Sequence, residues 1–160
     1  MKAAKRNPRR GEPTDGNARL VDGLVQLSFL IQGVLQRVAS GYDLSIIQVR
    51  LLGVLRGREP GMLELAAHLN IDKSSLSGLV DRAEERGLVR RIKVPADHRA
   101  VHVGLTAKGK ELAVAFAGEV EQHLLALVQG LDFAQRKQVS ALALQIVAAN
   151  HGRALREGPG

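Results

Sequence analysis

"LAAHLNIDKSSLSGLVDRAEERGLVRRIKVPADHRAVHVGLTAKG", residues 65–109, decides the fold. Within it Asp72 stands as an N-cap before a run that puts Leu76, Leu79, Val80 and Ala83 on one helical face, and Gly87 supplies a C-terminal stop. Lys73, Ser74 and Ser77 fall on the opposite face. The preceding segment "MLELAAHLNI" gathers Leu65, Ala66 and Leu69 on one face and turns at Asn70-Ile71-Asp72. Two short helices joined by a tight turn, with small polar residues at the start of the second, have the layout of a helix-turn-helix. "LVRRIKV" and "RAVHVGL" then flank Pro95, Ala96 and Asp97, residues that suit a turn, so the chain makes a β-hairpin before Thr106 opens another helix. A hairpin placed directly after a helix-turn-helix is a wing.

Working outward, residues 19–40 carry Leu20, Leu24, Leu27, Ile31, Val34, Leu35 and Val38 at helical spacing, with Val21, Val25, Phe29 and Leu30 widening the stripe. In "YDLSIIQVRLLGVLRGREPG", Ser45 and Gln48 form a capping box, Ile47, Leu51, Leu52 and Leu55 make a short buried face, and Gly57 and Pro60-Gly61 end the helix. After the wing come "AKGKELAVAFAGEVEQHLLALVQGL" and, behind the cap residue Asp132, a last helix with Val139, Leu142, Ile146 and Val147. The stripes of residues 19–40 and of the two C-terminal helices hold more Leu, Val and Ile than a small monomer covers. Such stripes bury best against a symmetric copy, so a homodimer is expected. The fold class is mainly α with a small β-hairpin wing: a winged helix-turn-helix with a helical dimerisation region. The expected divisions are a disordered basic tail over 1–16, a dimerisation helix over 17–43, the winged DNA-binding domain over 44–106, dimerisation helices over 107–152 and a flexible tail over 153–160.

Composition supports one core: 160 residues, 45% hydrophobic, with aromatics at only 2%. A core of Leu, Val, Ile and Ala suits helix packing. The absence of cysteine removes disulfides, thiolate chemistry and cysteine metal sites. No apolar run reaches the ~18 residues of a membrane span, and the charged start lacks a secretory apolar stretch. The expected location is the cytoplasm, with no membrane partner.

The net charge of +7 is local. Residues 73–110 hold nine basic against four acidic groups, while residues 17–72 are neutral and residues 111–160 slightly acidic. A basic block inside the folded part, spanning the second motif helix and the wing, is an electrostatic footprint for double-stranded DNA. At the wing tip Arg99 can enter a minor groove, Asp97 can orient that guanidinium, and His98 can add a phosphate contact. A solvated loop tip is the bland alternative for all three.

Residues 65–109 resemble the core of the MarR family of winged-helix transcription regulators. The likeness lies in the leucine and alanine frame of the first motif helix, Leu-Val-Asp-Arg followed by Glu-Arg-Gly-Leu-Val, the Asp-x-Arg wing tip and the Leu-Thr-x-x-Gly that opens the next helix. "LSIIQVRLLGVL" extends it upstream. The resemblance implies a homodimer on a pseudo-palindromic operator, acting as a repressor relieved by a small-molecule effector between dimer helices and winged domain. His98 departs from the many relatives that carry a second wing-tip arginine. None of His68, His98, His102, His123 and His151 forms a local pair with metal-ligand spacing, so neither metal nor cofactor is expected; His68 reads as a helix surface residue.

Base-edge contacts are expected from Lys73, Ser74 and Ser77, and phosphate contacts from Arg82, Arg86, Arg90, Arg91 and Lys93. Arg86 and Arg90 can equally serve as surface ion-pair partners of Glu85 and its neighbours. The alternative function is a winged helix used for protein association without sequence-specific DNA binding. No Gly-rich phosphate loop, Cys/His pair or G-x-S-x-G stands out, so an enzyme is not expected.

Overall fold

The computed structural model describes the backbone of residues 15–94 and 97–154 and the side chains of residues 16–93 and 100–150. The elements run α1 (Asp15–Gly41), α2 (Ile46–Val54), α3 (Met62–Leu69), α4 (Lys73–Glu85), β1 (Val89–Val94), β2 (Asp97–Leu105), α5 (Ala107–Leu127) and α6 (Phe133–Ala154). Side-chain caps set the starts of α2, α4, α5 and α6. Ser45 and Gln48 close a reciprocal capping box on α2, with the Ser45 amide 2.9 Å from Gln48 Oε1. Asp72 accepts the Ser75 amide at 2.9 Å, Thr106 Oγ1 that of Gly109 at 3.0 Å, and Asp132 that of Gln135 at 2.8 Å. Each satisfies an amide that the first helical turn leaves without a backbone partner. Stops are equally local. Asn70 and Gly87 adopt left-handed φ angles of 53° and 69° just past α3 and α4.

The chain divides into two units, 1–33 and 34–160. In the first, the described residues are helical, and Leu20, Val21, Leu24, Val25, Leu27, Phe29 and Leu30 are all exposed. By length and composition Gly16–Gly41 is apolar enough to cross a bilayer, which corrects the expectation that no stretch reaches that mark. Gln26, Ser28, Gln32 and Gln36 break the apolar run in sequence, but too sparsely to lower its average.

In the second unit the core gathers the inner faces of α2, α3 and α4. Leu51, Leu55, Leu65, Leu69, Leu76 and Leu79 are fully buried, with Val80, Leu88, Val89 and Val103 completing the floor under the hairpin. Truncating any of these leucines to alanine costs about 2–5 kcal/mol, because a cavity adds to the lost transfer energy. Ile47 and Ala66, expected on the buried faces, are only partly covered. Along α6 every described side chain, 133 to 150, is exposed, with Phe133 at 85% and Leu144 at 67%.

The hairpin pairs antiparallel from Val89 with Leu105 to Lys93 with Val101, then shifts so that Val94 meets Asp97. Asp97 therefore belongs to β2 rather than to the turn. Pro95 and Ala96 lie outside the described residues. The loop before α3 fastens β2 from the other side: the Val103 amide donates to Pro60 O at 3.0 Å, and Gly61 bridges His102. His102 Nδ1 donates to Glu59 O at 2.6 Å.

Candidate nucleic-acid interface

The start of α4 is held open to solvent by its own cap. Asp72 takes three bonds there, from the Ser75 amide and from the hydroxyls of Ser74 and Ser75, both at 2.5 Å. These, the Ser74 hydroxyl first, hold the Asp72 carboxyl well below the usual carboxylate range. Lys73 and Ser74 are exposed, and Ser77, one turn along, is half-buried. On the inner side Leu76, Leu79, Val80 and Ala83 anchor the helix to the core, as their spacing predicts.

The basic residues divide into two groups. Among the described residues Lys73, Arg82 and Lys93 are exposed cations without an ion-pair partner. Arg86, Arg90 and Arg91 instead bind within the chain. Arg90 lies 3.2 Å from Glu59 Oε1. Arg86 donates to the carbonyls of Asp43 and Tyr42, at 2.5 and 3.3 Å, and stands 3.9 Å from Asp43 Oδ2. Arg91 spans two carboxylates of α4, 2.6 Å from Asp81 Oδ1 and 2.5 Å from Glu84 Oε2. Asp81 foremost raises the Arg91 pKa. The acids that pair with these arginines are Asp43, Glu59, Asp81 and Glu84 rather than Glu85, which is exposed. The backbone of Asp97, His98 and Arg99 runs in β2, and their side chains lie outside the described residues.

His68 lies on α3 half-covered, its Nδ1 donating to Glu64 O at 2.8 Å and its Nε2 accepting from Arg58 Nη1 at 3.2 Å. Among the described residues no group of three His, Asp or Glu side chains is placed to hold a metal ion.

A second concavity has no signature in the sequence. A cavity of about 690 Å³ opens between α2 and α5, lined by Val49, Leu52, Gly53 and Arg56 on one side, by Ala113, Phe116, Ala117, Val120, Glu121, Leu124 and Leu125 on the other, and by Val128 and Ser140. Its walls are almost wholly apolar, with Arg56 and Glu121 the charged groups among them. No local spacing brings residues of two distant helices to one wall, so periodicity shows these side chains as helix faces and not as a cavity.

The MarR family pattern matches residues 42–100. The chain is 30% identical to the HTH-type transcriptional regulator FarR of Neisseria gonorrhoeae over 112 residues, covering 68% of this chain and 75% of that protein. With the HTH-type transcriptional regulator PecS of Dickeya dadantii it shares 29% over 130 residues, 68% of this chain and 77% of that one. The crystal structure of NadR in complex with 4-hydroxyphenylacetate superposes with a TM-score of 0.66 at 24% identity, covering 88% of this chain and 97% of NadR. The fold and the basic face define a winged-helix protein of the transcription-regulator class. The chain belongs to the MarR family. Its relatives are transcriptional regulators rather than enzymes, and they weigh against a winged helix used for protein association alone.

Proposed function

We propose that this chain is a transcriptional repressor that binds a pseudo-palindromic operator as a homodimer and releases it when a small molecule occupies the cavity between α2 and α5. The observation that carries this reading is the start of α4, anchored by four buried residues, with Lys73 and Ser74 exposed, Ser77 half-buried one turn along, and Arg82 exposed without an ion-pair partner. A helix lying in a major groove reaches base edges from its first turns. Lys73, Ser74 and Ser77 make the base-edge contacts; Arg82 and Lys93 contact phosphate. Arg86, Arg90 and Arg91 orient the elements that carry them. At the wing Arg99 enters the minor groove, with Asp97 and His98 beside it.

Residues 44–106 form the DNA-binding domain, and residues 17–43 and 107–152 supply the dimer surface. Support comes from the apolar side chains that α1 and α6 leave exposed, among them Leu24, Leu30, Leu142 and Ile146. A second copy covers them better than a bilayer does, since α6 carries the same kind of stripe and is broken by Arg136, Lys137 and Asn150. The apolar walls and Arg56 suit an occupant with an apolar body and an anionic end. NadR, of the same fold, holds a small phenolic acid.

Leu142→Asp tests the assembly. Sedimentation is expected to show a native dimer that the substitution dissociates, with operator binding lost and weak non-specific attachment retained. A native monomer that still protects a two-fold symmetric footprint at micromolar protein contradicts the reading.

A further inference from the structure

Cavity and recognition helix are joined by a run of contacts that DNA binding itself does not use. We propose that Arg86 is a positioning residue that couples occupancy of the α2–α5 cavity to the C-terminal end of α4, through Phe116 and Tyr42. The inference rests on reading α4 as the recognition element and the cavity as the effector site.

Phe116 lines the cavity and also meets Tyr42 edge-on, with ring centroids 6.0 Å apart and planes at 64°. The Glu119 carboxylate, three residues beyond Phe116 on α5, pushes the Tyr42 phenol above its ordinary pKa. Through its ring Tyr42 is thus tied to α5. The backbone of the same turn is held by α4: the carbonyls of Tyr42 and Asp43 both accept from the Arg86 guanidinium. Asp43 has a left-handed φ of 51°, a conformation that Asp adopts readily, and the Arg86 guanidinium bonds the carbonyls on either side of that bend.

Arg86 is also the C-cap of α4, and its own carbonyl accepts from Lys108 Nζ at 2.9 Å. A displacement of Phe116 that is passed to Tyr42 reaches the Arg86 guanidinium through the 42–43 turn, and the Arg86 amide closes the last turn of the recognition helix. An effector can shift the DNA-bound state only by favouring one arrangement of such an element over another. The amides of Gly87 and Leu88, bonded to Glu84 O at 2.8 Å and Ala83 O at 2.9 Å, sit beside it and report its state.

The test uses the full chain and the dye 1-anilinonaphthalene-8-sulfonate, whose apolar rings and sulfonate fit the walls and Arg56. At saturating dye, hydrogen exchange at Gly87 and Leu88 is expected to speed up by about threefold or more in the native chain. In Arg86→Gln the dye should bind with affinity within about twofold of native, yet the exchange response should vanish. Arg86→Lys, which can still reach one carbonyl, should restore part of it. A merely structural role would raise exchange with and without dye and leave the response intact. Equal responses in native chain and Arg86→Gln overturn the coupling, as does no response at saturation in the native chain. Failure of the dye to bind counts against the effector reading alone, and Ala117→Phe then fills the cavity from within. Its effect on exchange at Gly87 and Leu88 is compared with Arg86 present and in the Arg86→Gln background. An effect that needs Arg86 supports the coupling; an equal effect in both backgrounds, or none with Arg86 present, overturns it. Binding of mixed-sequence duplex DNA is measured separately, so loss of DNA binding is not mistaken for loss of coupling.

Discussion

Arg91 Nη2 on β1 stands 2.6 Å from Asp81 Oδ1 on α4, and its other arm reaches Glu84. These ion pairs tie β1 to α4. Both acids are half-exposed, and solvent screening limits the net stabilisation to about 1 kcal/mol. Arg91→Gln should lower stability by that amount in urea unfolding. It should weaken specific and mixed-sequence DNA alike without changing the salt dependence. Lys93→Ala, by contrast, should leave stability unchanged and reduce the slope of log K against log salt by about 1. A reduced slope in Arg91→Gln would make it a phosphate contact instead.

Gly109 packs against the backbone of Leu88: a Cβ there would collide with the Leu88 carbonyl oxygen, which cannot move aside as a flexible side chain can. Thr106 holds the same place, its hydroxyl 2.6 Å from Gly87 O. Gly109→Ala is therefore expected to destabilise the chain by about 2–3 kcal/mol despite the gain in helix propensity. Thermal unfolding measures it, and an unchanged or raised midpoint would show that α5 can shift away.

The depressed pKa of Asp72 has a consequence in acid. A carboxyl whose folded pKa lies below its unfolded one contributes stability that is fully present above the unfolded value, about pH 4, and is lost as pH falls through the lower folded value. Asp72→Asn should therefore flatten the acid side of the stability profile below about pH 4, where native and variant curves converge. Parallel curves from pH 7 to pH 2 would show that the serine hydroxyls do not favour the charged form.

Much of this is legible in the sequence. Ser45, Asp72, Thr106 and Asp132 cap the helices that their positions predict, since a cap depends on three or four consecutive residues. Leu76, Leu79, Val80 and Ala83 are buried as their period requires. What stays hidden depends on long-range contacts. Arg86 and Arg90 have acidic partners 43 and 31 positions away, which no local pattern specifies. The same kind of separation conceals the cavity, and the irregular register past Lys93 places Asp97 in a strand instead of a turn.

Division of labour on α4 gives a fourth expectation. Ser77→Ala and Lys73→Ala should relax sequence preference, costing about 1–3 kcal/mol on the preferred site and little on mixed sequence. Ser74→Ala has a second effect, because its hydroxyl also bonds Asp72. Competition binding against mixed duplex separates the two, and equal losses on both DNAs would remove these residues from base reading.

Selection of random duplexes by the purified chain tests sequence-specific binding as a dimer most directly. An enriched inverted repeat is expected, with half-site centres about one helical turn, ~10 base pairs, apart. Recovery of no common sequence, or of a single asymmetric site bound by one copy, would contradict it.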